Sequence, residues 1–234
     1  MKAKIIAAVF IFSAFSVNAQ RRHEWHTDSG RGKSSVYVTN LFWDNCFVGV
    51  AGGVNIYEGE FDRQASIGHR LAPALDISLG KWFVPALGVR LQYSGLKARG
   101  MSGGGYAYAT TPYRDYYKKE FNVTNLHFDV MWNCSNAISG QNEKRFWNCI
   151  PYGGFGWAYS SGNHTSNSDM GLMVGILNTF RLSDRFDFTL EARQLFVGEA
   201  FDSITGGSSK EGMASVTMGI IMKFGKKSFQ HVWK

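Results

Sequence analysis

The chain has 234 residues, of which 44% are hydrophobic and 18% charged, and its formal net charge at pH 7 is +7. This length leaves room for one or two domains with a sizeable core. The basic excess is mild and is nowhere gathered into a lysine- and arginine-rich run interleaved with aromatic residues, so nucleic-acid binding is not expected.

The N-terminal residues have the pattern of a secretory signal peptide. Lys2 and Lys4 precede an apolar run over 5–15, and small or permissive residues at 17–19 suit a signal peptidase. The alternative, a membrane anchor, would need about 18 apolar residues, which this run does not reach. We therefore assign 1–19 to a signal peptide. Its removal takes away two lysines and no acid, which lowers the formal charge from +7 to +5.

The rest of the chain is dominated by alternation of apolar and polar residues, whereas helical spacing of apolar residues is almost absent. The alternating segments are about ten residues long, the length that a tilted strand needs to cross a bilayer. They lie at 46–57, 70–82, 86–97, 122–134, 148–160, 170–182, 185–197 and 213–224. An even number of strands is typical of bacterial membrane barrels. The predicted fold class is therefore all-β, an eight-stranded antiparallel up-and-down transmembrane β-barrel.

The connections between these segments differ in length. Segments two and three, and six and seven, are joined by a few residues, whereas longer links lie at 58–69, 98–121, 160–169 and 198–212. Only the turn at 135–146 breaks the pattern. Because membrane barrels have short periplasmic turns and longer outer loops, both termini are expected in the periplasm. The predicted organisation is a periplasmic segment at 20–44, the barrel at 45–225 and a periplasmic tail at 226–234.

Aromatic residues gather at both ends of the predicted strands, where a barrel would meet the lipid headgroups. A soluble β-sandwich or a lipocalin-like barrel would explain the alternation equally well but not this placement. The predicted interface aromatics are Trp82, Phe83, Trp132, Trp147 and Phe224 at the periplasmic ends, and Trp157 and Tyr159 at the outer ends.

The polar faces of the strands carry three acidic and three basic residues. An eight-stranded barrel has an interior just wide enough for side chains, and unpaired charge there would be costly. We therefore expect a packed polar lumen and no wide pore. The predicted lumen network is Asp76, Arg90, His127, Asp129, Glu191, Arg193 and Lys223.

Three cysteines follow the signal peptide. Cys134 and Cys149 each follow a Trp-Asn pair and flank one turn. The absence of a C-x-x-C pair argues against a zinc or redox site. In a compartment that permits disulfides we expect either a bond between these two, with Cys46 left over, or three small apolar fillers at strand ends.

Four stretches of the sequence resemble the OmpA-type outer-membrane barrel domain of Bacteroidetes. They are RLAPALDISLGKWFVPALGVRLQYSGLKARG, NLHFDVMWN, NEKRFWNCIPYGGFGW and DRFDFTLEARQLF. The similarity covers most of 45–225, and the GKWF-P-x-x-G-V-R-L hairpin is its most specific part. The resemblance implies a location in the bacterial outer membrane. Many members continue into a peptidoglycan-binding domain, but this sequence ends at Lys234, so that anchoring function is not expected here.

The final strand resembles the β-signal by which the barrel assembly machinery recognises its substrates. That signal has the pattern polar, x, Gly, x, x, apolar, x, aromatic, matched here by Thr217, Gly219, Met222 and Phe224. The resemblance implies the assembly machinery as a partner.

A barrel does not by itself name a function. We expect a structural and surface-interaction role without catalysis, cofactor or metal. The expected partners are outer-membrane lipid, lipopolysaccharide and an unidentified envelope protein. Lys97 and Arg99 in the second long connection could contact lipopolysaccharide phosphates, or belong to a solvated loop. One alternative function is a small-solute pore.

A second alternative is a lipid A-modifying hydrolase. His164 and Ser166 lie in a His-Thr-Ser-Asn run that resembles the His-x-Ser-Asn motif of outer-membrane lipid A deacylases. A histidine beside a serine can generate a nucleophile, and an acid should orient the histidine. The sixth strand supplies no such acid, and Asp169 is expected within the loop. A polar loop is therefore the favoured interpretation.

Overall fold

We describe the fold from a computed structural model. The described residues are 36–38, 42–58, 67–102, 109–113, 116–162, 165–198, 211–226 and 229–232. The predicted signal peptide and His164 lie outside these ranges. Within them, no helix combines the length and the apolar character needed to cross a bilayer.

Eight long antiparallel strands form a closed barrel. They are β2 (Cys46–Glu58), β3 (Leu71–Val84), β4 (Leu87–Ser102), β6 (Tyr116–Trp132), β7 (Trp147–Gly162), β8 (Thr165–Arg181), β9 (Phe186–Val197) and β10 (Glu211–Phe224). Each pairs with the next along the chain, and β4 pairs directly with β6. Pairing of β10 with β2 closes the barrel. The predicted eight-stranded fold is thus confirmed.

Short elements complete the fold. β1 (Val36–Val38) and β11 (Gln230–Val232) form a separate two-stranded sheet, and β5 (Ala109–Tyr113) pairs with the start of β6. The helical turn α1 (Ile67–Arg70) precedes β3, and helix α2 (Cys134–Ser139) lies between β6 and β7.

The two ends of the barrel differ, and we name them by their connections. The turn end carries the Pro85-Ala86 turn, the α2 connection at 133–146 and the turn at 182–185. The first residue of β2 and the last residue of β10 also lie at this end. The opposite end is the loop end.

At the loop end, two predicted connections are shorter than expected. The prediction of a loop at 160–169 is wrong, because β7 continues to Gly162 and β8 begins at Thr165. β4 and β6 likewise extend into the predicted loop at 98–121. The backbone ladder satisfies N–H and C=O groups whatever the side chains are, so loss of apolar alternation does not end a strand.

The alternation puts apolar side chains on the outer wall. Ile77 and Val130 are 47% and 48% exposed, whereas their neighbours Asp76 and Asp129 are 3% and 0% exposed. Neighbouring residues of a strand point to opposite faces, so the apolar set faces out along the strands. This excludes the lipocalin-like alternative, whose apolar face points inward. An apolar outer wall around a polar interior suits a barrel whose surrounding solvent is lipid.

Most predicted interface aromatics lie on this wall. Phe83, Trp132, Trp147, Trp157 and Tyr159 are all at least 38% exposed. The prediction is wrong for Trp82, which shares the inward face with Ser78 and Gly80 and packs against the ring of Phe47, with ring centroids 6.5 Å apart. Phe224 is half-buried, because Trp43 lies against it.

A short turn at 42–45 clasps the barrel seam at the turn end. The Lys81 ammonium on β3 donates to the carbonyl oxygens of Phe42 (2.8 Å) and Asp44 (2.5 Å). The Asp44 carboxylate accepts from the backbone N–H of Lys226 at 3.0 Å, just after β10. Gly225 adopts a φ of 74°, and a Cβ there would lie 2.1 Å from a backbone oxygen of the turn, so only glycine fits. We call this arrangement the seam clasp.

Candidate functional site: the barrel lumen

Two arginines and three carboxylates meet at the centre of the lumen. Arg90 Nε lies 2.9 Å from Asp129 Oδ2, and its Nη1 lies 2.8 Å from Glu191 Oε2. Arg193 contacts both oxygens of Asp76, at 2.6 and 2.9 Å, and reaches Glu191 Oε1 at 3.4 Å. Glu191 therefore bridges the two arginines, and the five side chains form one connected group that we call the charged layer.

Tyr152 supports the charged layer from β7. Its hydroxyl donates to Glu191, and the Arg90 guanidinium lies over its ring at 4.4 Å. A cation over an aromatic face is favourable, particularly away from water. Gly175 on β8 makes room for this ring, because a Cβ there would lie 2.5 Å from the ring carbon Cζ.

His127 extends the charged layer toward β4. Its Nδ1 lies 2.8 Å from Asp129 Oδ1, and its Nε2 lies 3.3 Å from the Ser94 hydroxyl. Gln92 donates to that same hydroxyl at 3.2 Å. Serine, histidine and aspartate thus stand in the order used by hydrolases. However, all three are at most 3% exposed, so a substrate in solution has no direct access to Ser94.

Lys223 does not join the charged layer, contrary to the prediction. It lies one residue before the end of β10, and its ammonium pairs with Asp187 of β9 at 2.7 Å. Ile221 separates it along the inward face from Thr217 and Gly219 nearer the centre. The alternation predicts the face on which Lys223 lies but not its height in the barrel. Its position near the end of β10 places it at the turn end.

Two layers of inward apolar side chains enclose the charged layer. On the turn-end side of the charged layer, the buried apolar residues of the inward faces are Phe47, Met131, Ile150, Leu177 and Ile221. Toward the loop end, they are Tyr57, Ala98, Phe121, Val123, Ala158, Met173, Leu195, Val197 and Met213. We call these the lower and upper apolar layers. Among the described residues, the inward faces of the strands are therefore polar at the centre of the barrel and apolar toward both ends.

A cavity of about 570 Å³ opens at the turn end beneath the lower apolar layer. Its walls include Asn133 and Asn136 of the α2 connection, and its charged residues include two ion pairs, Arg181 with Asp184 and Lys223 with Asp187. Phe47, Ile150, Leu177 and Ile221 line the side that faces the centre of the barrel. This turn-end cavity is a vestibule, because the lower apolar layer separates it from the charged layer.

Two basic residues at the loop end, Lys97 and Arg99, share one carboxylate. Glu120 accepts from Lys97 Nζ at 2.5 Å and from Arg99 Nε at 2.8 Å. Glu120 lies beyond the level of Tyr159, which pairs with Thr124, and is outside the lipid-facing band. These two hydrogen bonds hold the pKa of the Glu120 carboxyl below its usual value.

The hydrolase alternative gains no support from the described residues. Ser166 is exposed on β8, and His164 lies outside the described ranges. Asp169 was predicted in a loop but lies in β8, where its carboxylate accepts from the backbone N–H groups of Met170 (2.7 Å) and Gly198 (2.6 Å). Among the described residues, no group of three or more His, Cys, Asp and Glu is placed to hold a metal ion.

The three cysteines are separate thiols in the structure. Cys46 is buried beneath the seam clasp and contacts the carbonyl oxygen of Phe42 at 3.5 Å. The Cys134 thiol lies 3.0 Å from the carbonyl oxygen of Cys149.

The residues of the predicted assembly signal divide between the two faces of β10. Thr217 is buried on the lumen side, and Gly219 follows on the same face. Met222 is 41% exposed on the outer wall, and Phe224 ends the strand on that same face.

Sequence reasoning missed Tyr152 and both apolar layers. A signal for the layers exists where an apolar residue interrupts the alternation, as Met131 does between Val130 and Trp132, or Ile221 between Ile220 and Met222. Such triplets mark strand positions where both faces are apolar. Tyr152 lies in the glycine-rich β7, where few side chains report the phase of the alternation.

Comparison with known proteins supports the fold and its location. The chain is 25% identical over 246 residues to outer membrane protein 40 of Porphyromonas gingivalis (strain ATCC BAA-308 / W83), covering 99% of this chain and 60% of that protein. It is 26% identical over 199 residues to outer membrane protein 41 of the same strain, covering 82% and 48%. The chain thus spans less than two thirds of the length of these relatives. No protein-family model matches it.

Among solved structures, the crystal structure of Neisserial surface protein A aligns with a TM-score of 0.51 at 12% identity, covering 77% of this chain and 97% of that chain. Identity this low shows a shared fold and nothing further. The closed barrel, its apolar outer wall and its similarity to outer membrane proteins 40 and 41 together identify the chain as an eight-stranded β-barrel protein of the outer membrane.

Proposed function

We propose that this protein is a closed, non-catalytic scaffold of the outer membrane, which neither conducts solutes nor turns over a substrate. The observation that carries the proposal is the filled lumen, in which the charged layer lies between the two apolar layers. A solute would have to displace both apolar layers and break the ion pairs of Arg90 and Arg193.

The energetic barrier to opening is large. Leaving one member of a buried ion pair without its partner costs about 3–5 kcal/mol. Arg90 and Arg193 each contact two carboxylates, and Arg90 is 2% exposed. Separating these groups would also leave the Tyr152 hydroxyl without its carboxylate partner. The resting barrel is therefore closed in this proposal.

Planar-bilayer recording tests the closed lumen. The purified barrel should give no conductance steps above those of the bare membrane, while a water-filled porin recorded in parallel gives large steps. Regular steps from the native protein would overturn the proposal. The variant Arg90→Ala removes a large buried side chain from the charged layer. Conductance steps in this variant alone would show that the charged layer blocks the pathway through the lumen.

We infer the orientation from the connection lengths. We place the turn end in the periplasm and the loop end outside the cell, as in barrels with short periplasmic turns. An epitope inserted near 206–208 should be labelled on intact cells, whereas one placed after 234 should be labelled only after the outer membrane is permeabilised. The reverse pattern would contradict this orientation.

Outer-membrane lipid, lipopolysaccharide and the assembly machinery are the proposed partners. Met222 and Phe224 point outward on the seam strand β10. A Phe224→Ala variant should reach the outer membrane in smaller amounts than the native chain, while Ile220→Ala on the same face of β10 should not. Equal reduction by both would indicate a general loss of lipid contact rather than a signal.

A further inference from the structure

Two cysteines meet where the α2 connection returns to the barrel wall. Cys134 is the first residue of α2, and Cys149 is the third residue of β7. The Cys134 Sγ lies 3.0 Å from the Cys149 carbonyl oxygen, so its thiol reaches the backbone of the second cysteine. Both side chains are partly exposed.

The surrounding backbone holds the two cysteines together. The backbone N–H of Cys149 donates to the Ser135 hydroxyl at 2.9 Å. The Asn133 side chain caps α2 by accepting from the N–H of Asn136 at 3.0 Å, and it contacts the Asn148 side chain at 3.5 Å. The Asn-Cys pairs of the two Trp-Asn-Cys triplets therefore lie side by side, with Asn133 against Asn148 and Cys134 against Cys149.

Cys46 has a different setting. It is 6% exposed and lies beneath the seam clasp, where its thiol contacts the carbonyl oxygens of Phe42 and Asp44. An oxidant in solution would reach it only after the clasp opens. It serves as the internal control for the other two thiols.

We propose that Cys134 and Cys149 are a modification site, at which an intramolecular disulfide forms in the mature protein. The inference rests on the proposed function in one respect, the placement of the turn end in the oxidising periplasm. The pair is separated by 15 positions, so the bond would close a short loop around α2. It would fix Asn133 and Asn136, which form part of the wall of the turn-end cavity.

The chemistry is thiol–disulfide exchange with a disulfide-bearing oxidant of the envelope. The thiolate of one cysteine attacks the oxidant's disulfide and forms a mixed disulfide, while one oxidant sulfur leaves as a thiolate. The second cysteine, as its thiolate, then attacks the mixed disulfide at the sulfur of the first. The chain loses two electrons and two protons, and the oxidant is released as a dithiol.

Alkylation counting tests the proposal on the full chain purified from outer membranes. Cells are lysed in a thiol-blocking reagent, the protein is denatured in the same reagent, and the intact mass is measured with and without prior reduction. Native protein should carry one label without reduction, on Cys46, and three after reduction. Cys46→Ser should carry none and then two, and Cys134→Ser should carry two in both conditions.

Three labels on the unreduced native protein would overturn the inference, and so would a bond mapped to Cys46. Migration on a gel with and without heating separates this result from failure of the proposed function. A heat-modifiable barrel with three free thiols would contradict the disulfide inference but not the scaffold proposal. A chain that is absent from the outer membrane, or that migrates equally with and without heating, would contradict the scaffold proposal itself.

Discussion

Arg90 and Glu191 are 101 positions apart in the chain, yet two hydrogen bonds of 2.8 and 3.1 Å join their side chains at the centre of the barrel. The strands that carry them, β4 and β9, are not neighbours in the sheet. Their contact therefore crosses the lumen. It ties opposite walls together, so the charged layer contributes to both the stability and the closure of the barrel.

Glu191→Gln should destabilise the barrel by about 3–5 kcal/mol, because Arg90 and Arg193 remain buried with one carboxylate fewer. Urea unfolding in lipid vesicles measures the loss. Glu120→Gln is the matched control, since it removes a partly exposed carboxylate from Lys97 and Arg99 and should cost at most about 1 kcal/mol. Equal losses in the two variants would show that the charged layer adds nothing beyond a surface pair.

Ile77→Arg should cost about 2–4 kcal/mol, because Ile77 is exposed on the outer wall beside the central Asp76 and would carry its charge into the hydrocarbon. Folding free energies in vesicles measure this cost. Ser166→Arg, on the part of β8 near the loop end, should be close to neutral. A neutral Ile77→Arg would contradict a lipid-facing outer wall.

Glu120 should make stability depend on pH at the acidic side. Its pKa is lowered in the folded protein by hydrogen bonds from Lys97 and Arg99. The stabilisation is therefore complete above the ordinary carboxyl pKa and is lost as the pH falls through the lowered value. The difference in unfolding free energy between the native chain and Glu120→Gln should therefore shrink as the pH falls below the ordinary carboxyl pKa of about 4.3. A difference that grows on acidification would show that the carboxylate is not stabilised by its neighbours.

Ser94 should not react with a fluorophosphonate probe, although His127 and Asp129 stand beside it in the order of a hydrolase. The serine is 3% exposed and lies between the two apolar layers. Labelling of the folded barrel, read by mass spectrometry, should be absent in the native chain and in Ser166→Ala alike. If the native chain were labelled and Ser94→Ala were not, Ser94 would be an accessible nucleophile. If the label were instead lost in Ser166→Ala, the hydrolase alternative at the loop end would be supported.

Lys81→Met should lower the temperature at which the barrel loses its heat-modifiable migration. The Lys81 ammonium is 5% exposed and donates to the carbonyl oxygens of Phe42 and Asp44, which the variant leaves without this donor. Hydrogen bonds to a charged group contribute about 1.5–3 kcal/mol. Lys144→Met, an exposed lysine at the same end, is the control. Identical midpoints for the two variants would mean that the seam clasp does not secure closure.

The sequence by itself determined the number and order of the eight long barrel strands and the face taken by most of their residues. Alternation is local, because neighbouring side chains of a strand point to opposite faces. It therefore placed Asp76, Arg90, Asp129, Glu191 and Arg193 in one lumen before any contact was known. The phase failed where the pattern was weak, in the glycine-rich β7 and at Trp82, whose aromatic ring suits either the lipid interface or the mouth of the barrel.

The tertiary structure decided which inward residues meet. Height within the lumen depends on the stagger of all eight strands, and no local pattern encodes that stagger. The stagger separates Lys223 from the charged layer and joins it to Asp187, and it gathers Phe47 and Ile221 into an apolar layer that the alternation did not predict. Strand closure converts an alternating polar face into a charged layer between two apolar ones, because only the closed barrel brings β4 opposite β9.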